Sequence, residues 1–127
     1  KRQWGSHRIE GIGDGFVPRN LDVSILNGIV TVSSDESIYY GKQLMLKEKI
    51  LAGISSGANV AAAIKLSKKH PELKNIVVML NDSAMRYFTT ELFDVKKHVE
   101  IPEREHPMDD YTKQELDKYQ PKWEIIE

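Results

Sequence analysis

The run Gly53-Ile54-Ser55-Ser56-Gly57 stands between two segments of different character. Residues 49–52 before it are long enough for a brief strand at most, and residues 58–69 after it are small and apolar enough to predict a helix. Glycines that flank serines favour a tight turn between two such elements. The run therefore predicts a strand-to-helix turn, the unit from which α/β folds are built.

The same alternation continues on both sides of this turn. Upstream, the Asn-Gly pair at 27–28 and the β-branched residues after it predict a strand over residues 27–32. Ser33 and Glu36 have the spacing of a capping box, which predicts a helix from there to about Glu48. Downstream, the continuous apolar run at 76–80 is typical of a parallel strand buried on both faces. This order of strands and helices indicates an α/β layer architecture.

The alternation ends at Asp94, which divides the chain into a body over residues 1–93 and a tail over residues 94–127. Residues 91–127 contain 11 acidic and 6 basic side chains, whereas residues 1–90 contain 8 acidic and 12 basic ones. The tail nevertheless keeps large apolar and aromatic residues: Tyr111, Tyr119, Trp123, Ile125 and Ile126. A free acidic extension would be poorer in such residues, so we expect the tail to pack on the body or on a dimer partner.

The composition excludes several classes of protein. The 127 residues, 40% of them hydrophobic, are enough for one domain. A net charge of −1 creates no overall field for nucleic acid or an anionic membrane, and no apolar run has the roughly 20 residues of a membrane span. The chain has no cysteine, and its four histidines lack the spacing of metal ligands. We expect no metal site, no membrane or nucleic-acid partner, and a cytoplasmic location.

The glycine–serine run has two functional interpretations beside that of an ordinary capped turn. One is the nucleophile elbow G-x-S-x-G of serine hydrolases, with Ser55 as nucleophile and Asp82 and His106 following in the required order. The other is a helix N terminus whose free N–H groups and Ser55 hydroxyl hold an anion or a heteroaromatic ring. The run alone leaves all three interpretations open.

Three segments together resemble one enzyme family. They read Gly5-Ser6-His7-Arg8-Ile9-Glu10-Gly11-Ile12-Gly13-Asp14-Gly15-Phe16-Val17-Pro18, Gly53-Ile54-Ser55-Ser56-Gly57-Ala58 and Asn81-Asp82-Ser83-Ala84-Met85-Arg86-Tyr87. Their order and spacing are similar to those of the cysteine synthase (O-acetylserine sulfhydrylase) family. The similarity covers residues 5–93.

The resemblance implies a pyridoxal 5'-phosphate (PLP) enzyme with the two-domain tryptophan-synthase-β-like architecture, PLP fold type II. It also implies a homodimer that replaces or eliminates the group on the β-carbon of a serine- or cysteine-type amino acid. This chain matches a C-terminal portion only. The family's Schiff-base lysine, substrate loop and phosphate cradle lie upstream in the family and match nothing here, so we expect the remainder of the enzyme to supply them.

The resemblance also assigns site residues. Ser55 would face the pyridine nitrogen of PLP, Gly11 and Gly13 would form the wall against the substrate face of the cofactor, and Asp82 would lie at the same cofactor site. A neutral hydroxyl at the ring nitrogen makes PLP a weaker electron sink than a carboxylate would. This favours loss of the β-substituent over transamination.

The chain departs from the family at two positions. Asn81 replaces a proline, and Asp14 replaces a small apolar residue. Asp14 is a candidate general base that would activate water or a thiol and repel an incoming hydrosulfide anion. An alternative function is therefore a cysteine desulfidase, a lyase that releases hydrogen sulfide. A non-catalytic interaction module that binds through the tail is a further alternative.

Overall fold

The computed structural model describes residues 6–95 and 108–127. Three α-helices and a two-stranded sheet organise these residues, with short 3₁₀ turns between them. In chain order the elements are a 3₁₀ turn at Val23–Ile25, β1 at Gly28–Val30, α1 at Ser34–Lys47, α2 at Ile54–Lys69, 3₁₀ turns at Ala84–Tyr87 and Glu91–Phe93, α3 at Asp110–Tyr119, a 3₁₀ turn at Gln120–Lys122 and β2 at Glu124–Ile126.

The centre of the fold is the packed pair α1 and α2. At their closest approach, a Cβ atom added to Gly57 would overlap the carbonyl oxygen of Ser37 and the backbone nitrogen of Gly41. Only a residue without a side chain lets the two backbones come this near. The buried core extends from this crossing and consists of Ile9, Ile38, Ile54, Ala58, Ala84, Tyr87 and Leu92.

The capping box predicted at the start of α1 is confirmed. Ser33 Oγ accepts from the backbone N–H of Glu36 at 3.1 Å, and the Glu36 carboxylate accepts from the backbone N–H of Ser33 at 2.8 Å. Lys65 of α2 lies 2.9 Å from the same carboxylate. These contacts hold the pKa of Glu36 down, to about 2, the backbone bond from Ser33 having the largest effect. The cap thus fixes both the start of α1 and its contact with α2.

The last twenty residues pack on the body. β2 pairs with β1 in parallel, with Gly28 opposite Glu124 and Val30 opposite Ile126. The side chain of Thr112 in α3 is almost completely buried, and its hydroxyl accepts from the backbone N–H of Val17 at 2.8 Å. Residues 108–127 therefore carry regular structure, although the division of the chain at residues 93 and 94 stays a prediction.

The α/β class is confirmed, but several elements differ from those predicted. α2 begins at Ile54 rather than at residue 58, because Gly57 serves the helix crossing and does not end a turn. The stretch at 49–52 forms no strand, and its one ladder contact is an isolated antiparallel bridge from Ala52 to Ser83. The sequence analysis also predicted no elements in the tail, where α3 and β2 are found.

The apolar run at 76–80 forms no strand in the described parts of the chain, so the predicted buried strand is wrong for this chain alone. Val77 is 98% exposed and Met79 is 71% exposed. The Asn59 amide of α2 donates to the Met79 carbonyl at 2.9 Å and ties the run to the helix pair. Val77, Met79 and Leu80 thus stay exposed, while Ile76 and Val78 are partly buried.

Within residues 6–95 and 108–127, no helix combines the length and apolar character needed to cross a membrane. The same residues contain no group of three or more histidine, aspartate or glutamate side chains placed to hold a metal ion.

Candidate cofactor site

The N terminus of α2 opens into a cavity of about 580 Å³. Eight residues line it: Glu10, Gly11, Ile12, Ser55, Asn81, Asp82, Arg86 and Tyr87. All three segments that carried the sequence resemblance therefore contribute to one concave site. Of the predicted site residues, Gly11, Ser55 and Asp82 come together here, whereas Gly13 and Asp14 are not among the lining residues.

Ser55 is the second residue of α2 and is only 5% exposed. The helix is preceded by Gly53, and no side chain caps its N terminus, so the first turn keeps donors that a bound group can use. The Ser55 hydroxyl oxygen accepts a hydrogen bond of 3.2 Å from the side-chain amide of Asn81. This places a neutral, buried hydroxyl at the cavity wall.

Asp82 connects the cavity to the helix pair. Its Oδ2 accepts from the Tyr87 hydroxyl at 2.6 Å, and its backbone carbonyl accepts from the Gly53 N–H at 2.9 Å. Its Oδ1 is buried and has no hydrogen-bond partner. Burial and the nearby carboxylate raise the pKa of Tyr87 to about 12, so this hydroxyl stays a donor over the whole neutral range.

The glycine loop, residues 11–15, contributes Gly11 and Ile12 to the cavity lining. Gly11 and Gly13 have φ angles of +80° and +76°, a region that residues with side chains rarely occupy. His7 braces the loop: its Nδ1 accepts from the backbone N–H of Ile9 at 3.2 Å, and its Nε2 lies 3.3 Å from the Gly13 carbonyl. With Nδ1 as acceptor, Nε2 carries the proton and donates to that carbonyl. The loop backbone thus approaches the cavity with a fixed shape.

Asp14 is exposed and belongs to the same loop, two residues beyond Ile12, which lines the cavity. Its role as a general base stays a prediction. Two charged lining residues, Glu10 and Arg86, were not predicted from the sequence. Both lie inside the motif segments, and their contribution follows from the folding of those segments onto α2.

Comparison with known proteins agrees with this site. The family model of pyridoxal-phosphate-dependent enzymes matches residues 1–82. The chain belongs to this family. Its cofactor class is therefore PLP, and the two-domain fold type II architecture expected from the sequence is the architecture of the family.

Cysteine synthases are among the curated proteins that are similar to this chain. Cysteine synthase of Buchnera aphidicola (subspecies Schizaphis graminum) is 56% identical over 90 residues, which are 70% of this chain and 28% of that protein. Cysteine synthase A of Escherichia coli K12 is 49% identical over 90 residues, again 70% of this chain and 28% of that protein. The chain spans less than a third of the length of these relatives.

A solved structure in the same fold class supports the assignment. A variant of O-ureido-L-serine synthase with O-ureido-L-serine bound matches 91% of this chain and 33% of its own chain, with a TM-score of 0.68 and 34% identity. Since this match extends beyond the similarity to the cysteine synthases, it includes part of the tail.

The residues present fit one face of a PLP site. The cavity wall offers a buried neutral hydroxyl at a helix N terminus and a glycine with no side chain, beside Asp82, whose buried Oδ1 has no hydrogen-bond partner. The alternative of a serine hydrolase is unsupported, because the hydrogen-bond partner of Ser55 is the Asn81 amide rather than an imidazole. His106, the third member of that predicted triad, lies outside the described residues.

Proposed function

We propose that this chain forms part of an enzyme that catalyses PLP-dependent β-replacement on a serine-type amino acid, as cysteine synthases do. The observation that carries the proposal is the position of Ser55, a buried hydroxyl at the start of α2 that lines a cavity shared with the glycine loop. Ser55 would hold the pyridine nitrogen, and Gly11 would let the substrate side of the ring approach the backbone.

Bound PLP supplies an electron sink for the charge that develops when a proton leaves the substrate Cα. A hydroxyl at the ring nitrogen donates a hydrogen bond but does not hold a full positive charge there, as a carboxylate would. A neutral Ser55 hydroxyl at this position would therefore favour loss of a good leaving group from the β-carbon. Asp82 would support this arrangement by fixing the entry to α2 through its bonds with Tyr87 and Gly53.

The rest of the enzyme is the principal partner in this proposal. It would supply the lysine that bonds to the cofactor, the phosphate-binding loop, and strands that cover the exposed run at 76–80. The exposure of Val77 and Met79, in a continuous apolar run, supports such an addition. A homodimer, a small amino-acid substrate and a cytoplasmic location complete the proposal, on the resemblance to the cysteine synthase family.

The decisive experiment uses the complete enzyme with a Ser55→Ala change. We expect PLP to be retained, because its covalent and phosphate contacts come from elsewhere, and single-turnover loss of the β-substituent to slow by at least an order of magnitude. Ser67→Ala is the matched control, since Ser67 is exposed on the same helix and bonds only to the Ile64 carbonyl among the contacts described. Unchanged single-turnover kinetics in the Ser55 variant would contradict the proposal.

The alternative activity, release of hydrogen sulfide from cysteine, would depend on Asp14 as general base. If Asp14 turns toward the β-carbon, Asp14→Asn should slow the attack of water or a thiol while loss of hydrosulfide continues at the parental rate. Asp22→Asn is a suitable control, because Asp22 is also acidic but caps the turn at Val23–Ile25. Serine or thioether formation at the parental rate would remove Asp14 from the mechanism and leave the cysteine-forming reaction.

A further inference from the structure

Asn81 makes two contacts with the start of α2, and both reach serine hydroxyls. Its backbone N–H donates to Ser56 Oγ at 3.0 Å, and its side-chain amide donates to Ser55 Oγ at 3.2 Å. Ser56 is completely buried and Ser55 nearly so, and Ser55 and Asn81 both line the cavity. Asn81 is thereby clamped against the first turn of the helix.

The direction of the second bond has a consequence for Ser55. A hydroxyl has one hydrogen to donate and two lone pairs with which to accept. The amide N–H of Asn81 has no lone pair at its nitrogen available as an acceptor, so it takes one lone pair of Ser55 Oγ and repels the hydroxyl hydrogen. That hydrogen is left to point away from Asn81, toward another acceptor.

We infer that Asn81 is a positioning residue that holds the Ser55 hydroxyl as a hydrogen-bond donor toward the cofactor ring. The inference rests on the proposed role of Ser55 at the pyridine nitrogen. A donor at that nitrogen matches the unprotonated ring, whereas a hydroxyl that turned its lone pair to the ring would favour the protonated form. Asn81 therefore selects the protonation state of the ring through Ser55.

The departure at this position from the family's usual proline sharpens the inference. Proline has neither an N–H for Ser56 nor a side-chain amide for Ser55. With proline there, neither hydroxyl would receive these bonds, and the orientation of Ser55 would depend on other groups. Asn81 thus adds to the cavity wall a hydrogen-bond donor to Ser55 that the sequence resemblance alone does not predict.

The test uses the complete enzyme loaded with PLP labelled with ¹⁵N in its ring, and reads the ring-nitrogen chemical shift by NMR. Asn81→Asp replaces the amide donor by an acceptor of the same shape and keeps the backbone N–H to Ser56. The Ser55 hydroxyl should then donate to the new carboxylate, and the ring-nitrogen signal should move upfield, toward the protonated form. Asn81→Ala, which only removes the donor, should give a smaller change in the same direction.

A Ser55→Ala background separates this effect from direct attraction by the new charge. If Ser55 transmits the effect, Asn81→Asp leaves the signal unchanged in that background. An equal shift with and without the Ser55 hydroxyl would overturn the inference, because charge alone would then explain it. Asn59→Asp is the control for a new carboxylate near the start of α2, since Asn59 lies on the same helix as Ser55 but its amide bonds to the Met79 carbonyl instead.

The outcomes also distinguish the two proposals. If Ser55→Ala alone does not move the ring-nitrogen signal, Ser55 does not contact that atom, and both the role of Ser55 and the inference about Asn81 are wrong. If Ser55→Ala moves the signal but Asn81→Asp does not, the role of Ser55 stands and Asn81 is only a structural residue. Far-ultraviolet circular dichroism of each variant verifies that the helices are retained.

Discussion

The Tyr87 hydroxyl donates a 2.6 Å hydrogen bond to Asp82 Oδ2, and this bond joins the turn at Ala84–Tyr87 to the entry of α2. Tyr87 is buried, and loss of its proton would place a second negative charge beside the carboxylate. Its raised pKa, about 12 against an ordinary value of 10.0, is the direct result of that burial and that neighbour.

This pair predicts a loss of stability in alkali. A raised pKa means that the folded state keeps its proton where the unfolded state has lost it, so the stabilisation is complete below pH 10 and is lost as the pH rises toward 12. Urea unfolding of the complete enzyme should show a midpoint that falls across this interval. Tyr87→Phe should flatten the fall, while Tyr39→Phe, at an exposed position, should keep it. A fall of equal size in the Tyr87 variant would contradict the assignment.

Glu36 makes the opposite prediction in acid. Its pKa is lowered from 4.5 to about 2 by the Ser33 backbone bond and by Lys65, so its contribution is present above pH 4.5 and is lost as the pH falls toward 2. Glu36→Gln should reduce stability at pH 7 and weaken the acid dependence of unfolding. Glu48→Gln is the matched control, because Glu48 is exposed at the other end of the same helix. The prediction fails if both variants show the acid dependence of the parent.

His70 predicts a pH-dependent attachment of β2. Its ring lies 2.9 Å from Glu72 and 2.7 Å from Glu124, and its pKa is raised, with the bond to Glu72 the larger cause and the bond to Glu124 the next. The charged ring therefore stabilises the contact below pH 6.5, and the contact weakens as the pH rises through the raised pKa. The pairing of β2 with β1 should loosen over that range.

Hydrogen exchange measures this loosening at individual amides. The Glu124 N–H bonds to the Asn27 carbonyl and the Thr31 N–H bonds to the Ile126 carbonyl, so both report on the attachment of β2. Their protection factors, corrected for intrinsic exchange, should fall with rising pH in the parent and stay level in His70→Gln. The Ser37 amide in α1 serves as internal reference. A parallel decline in the His70 variant would assign the effect to another group.

The sequence predicted local structure well where a local interaction determines it. The start of α1 depends on Ser33 and Glu36, three residues apart, and was found as predicted. The start of α2 was predicted wrongly because Gly57 lies against the backbone of α1. Its contact there, Ser37, is twenty residues away in sequence. Likewise, a hydrogen bond between Thr112 and Val17 holds α3 on the body, and no sequence pattern within the tail predicts that bond.

The candidate site was likewise predictable from the sequence only in part. The motif segments identified Gly11, Ser55 and Asp82, which line one cavity. The bond from Asn81 to Ser55 and the place of Arg86 at the cavity became visible only in three dimensions. The run at 76–80 has the pattern of a buried strand, and its burial requires neighbours that the described residues do not provide.

The crossing of α1 and α2 provides the last prediction. In most helix interiors Gly→Ala is stabilising by up to about 1 kcal/mol, because alanine loses less backbone entropy on folding. At Gly57 the sign should reverse, since the added methyl group meets backbone atoms of Ser37 and Gly41 that cannot move without separating the helices. We expect Gly57→Ala to lower the free energy of unfolding of the complete enzyme by about 1–3 kcal/mol, the cost typical of overpacking.

Gly41→Ala is the control for this prediction, because it makes the same chemical change on the facing helix. There the added Cβ meets the end of the Leu92 side chain at 3.0 Å, and a side-chain end can rotate away where a backbone cannot. The gain in helix propensity should then offset the small repacking cost and leave stability within about 1 kcal/mol of the parent. Chemical unfolding of both variants measures their free energies of unfolding and tests this difference. If Gly57→Ala is as well tolerated as Gly41→Ala, the two backbones do not meet at Gly57, and the packing of the central helix pair is other than described.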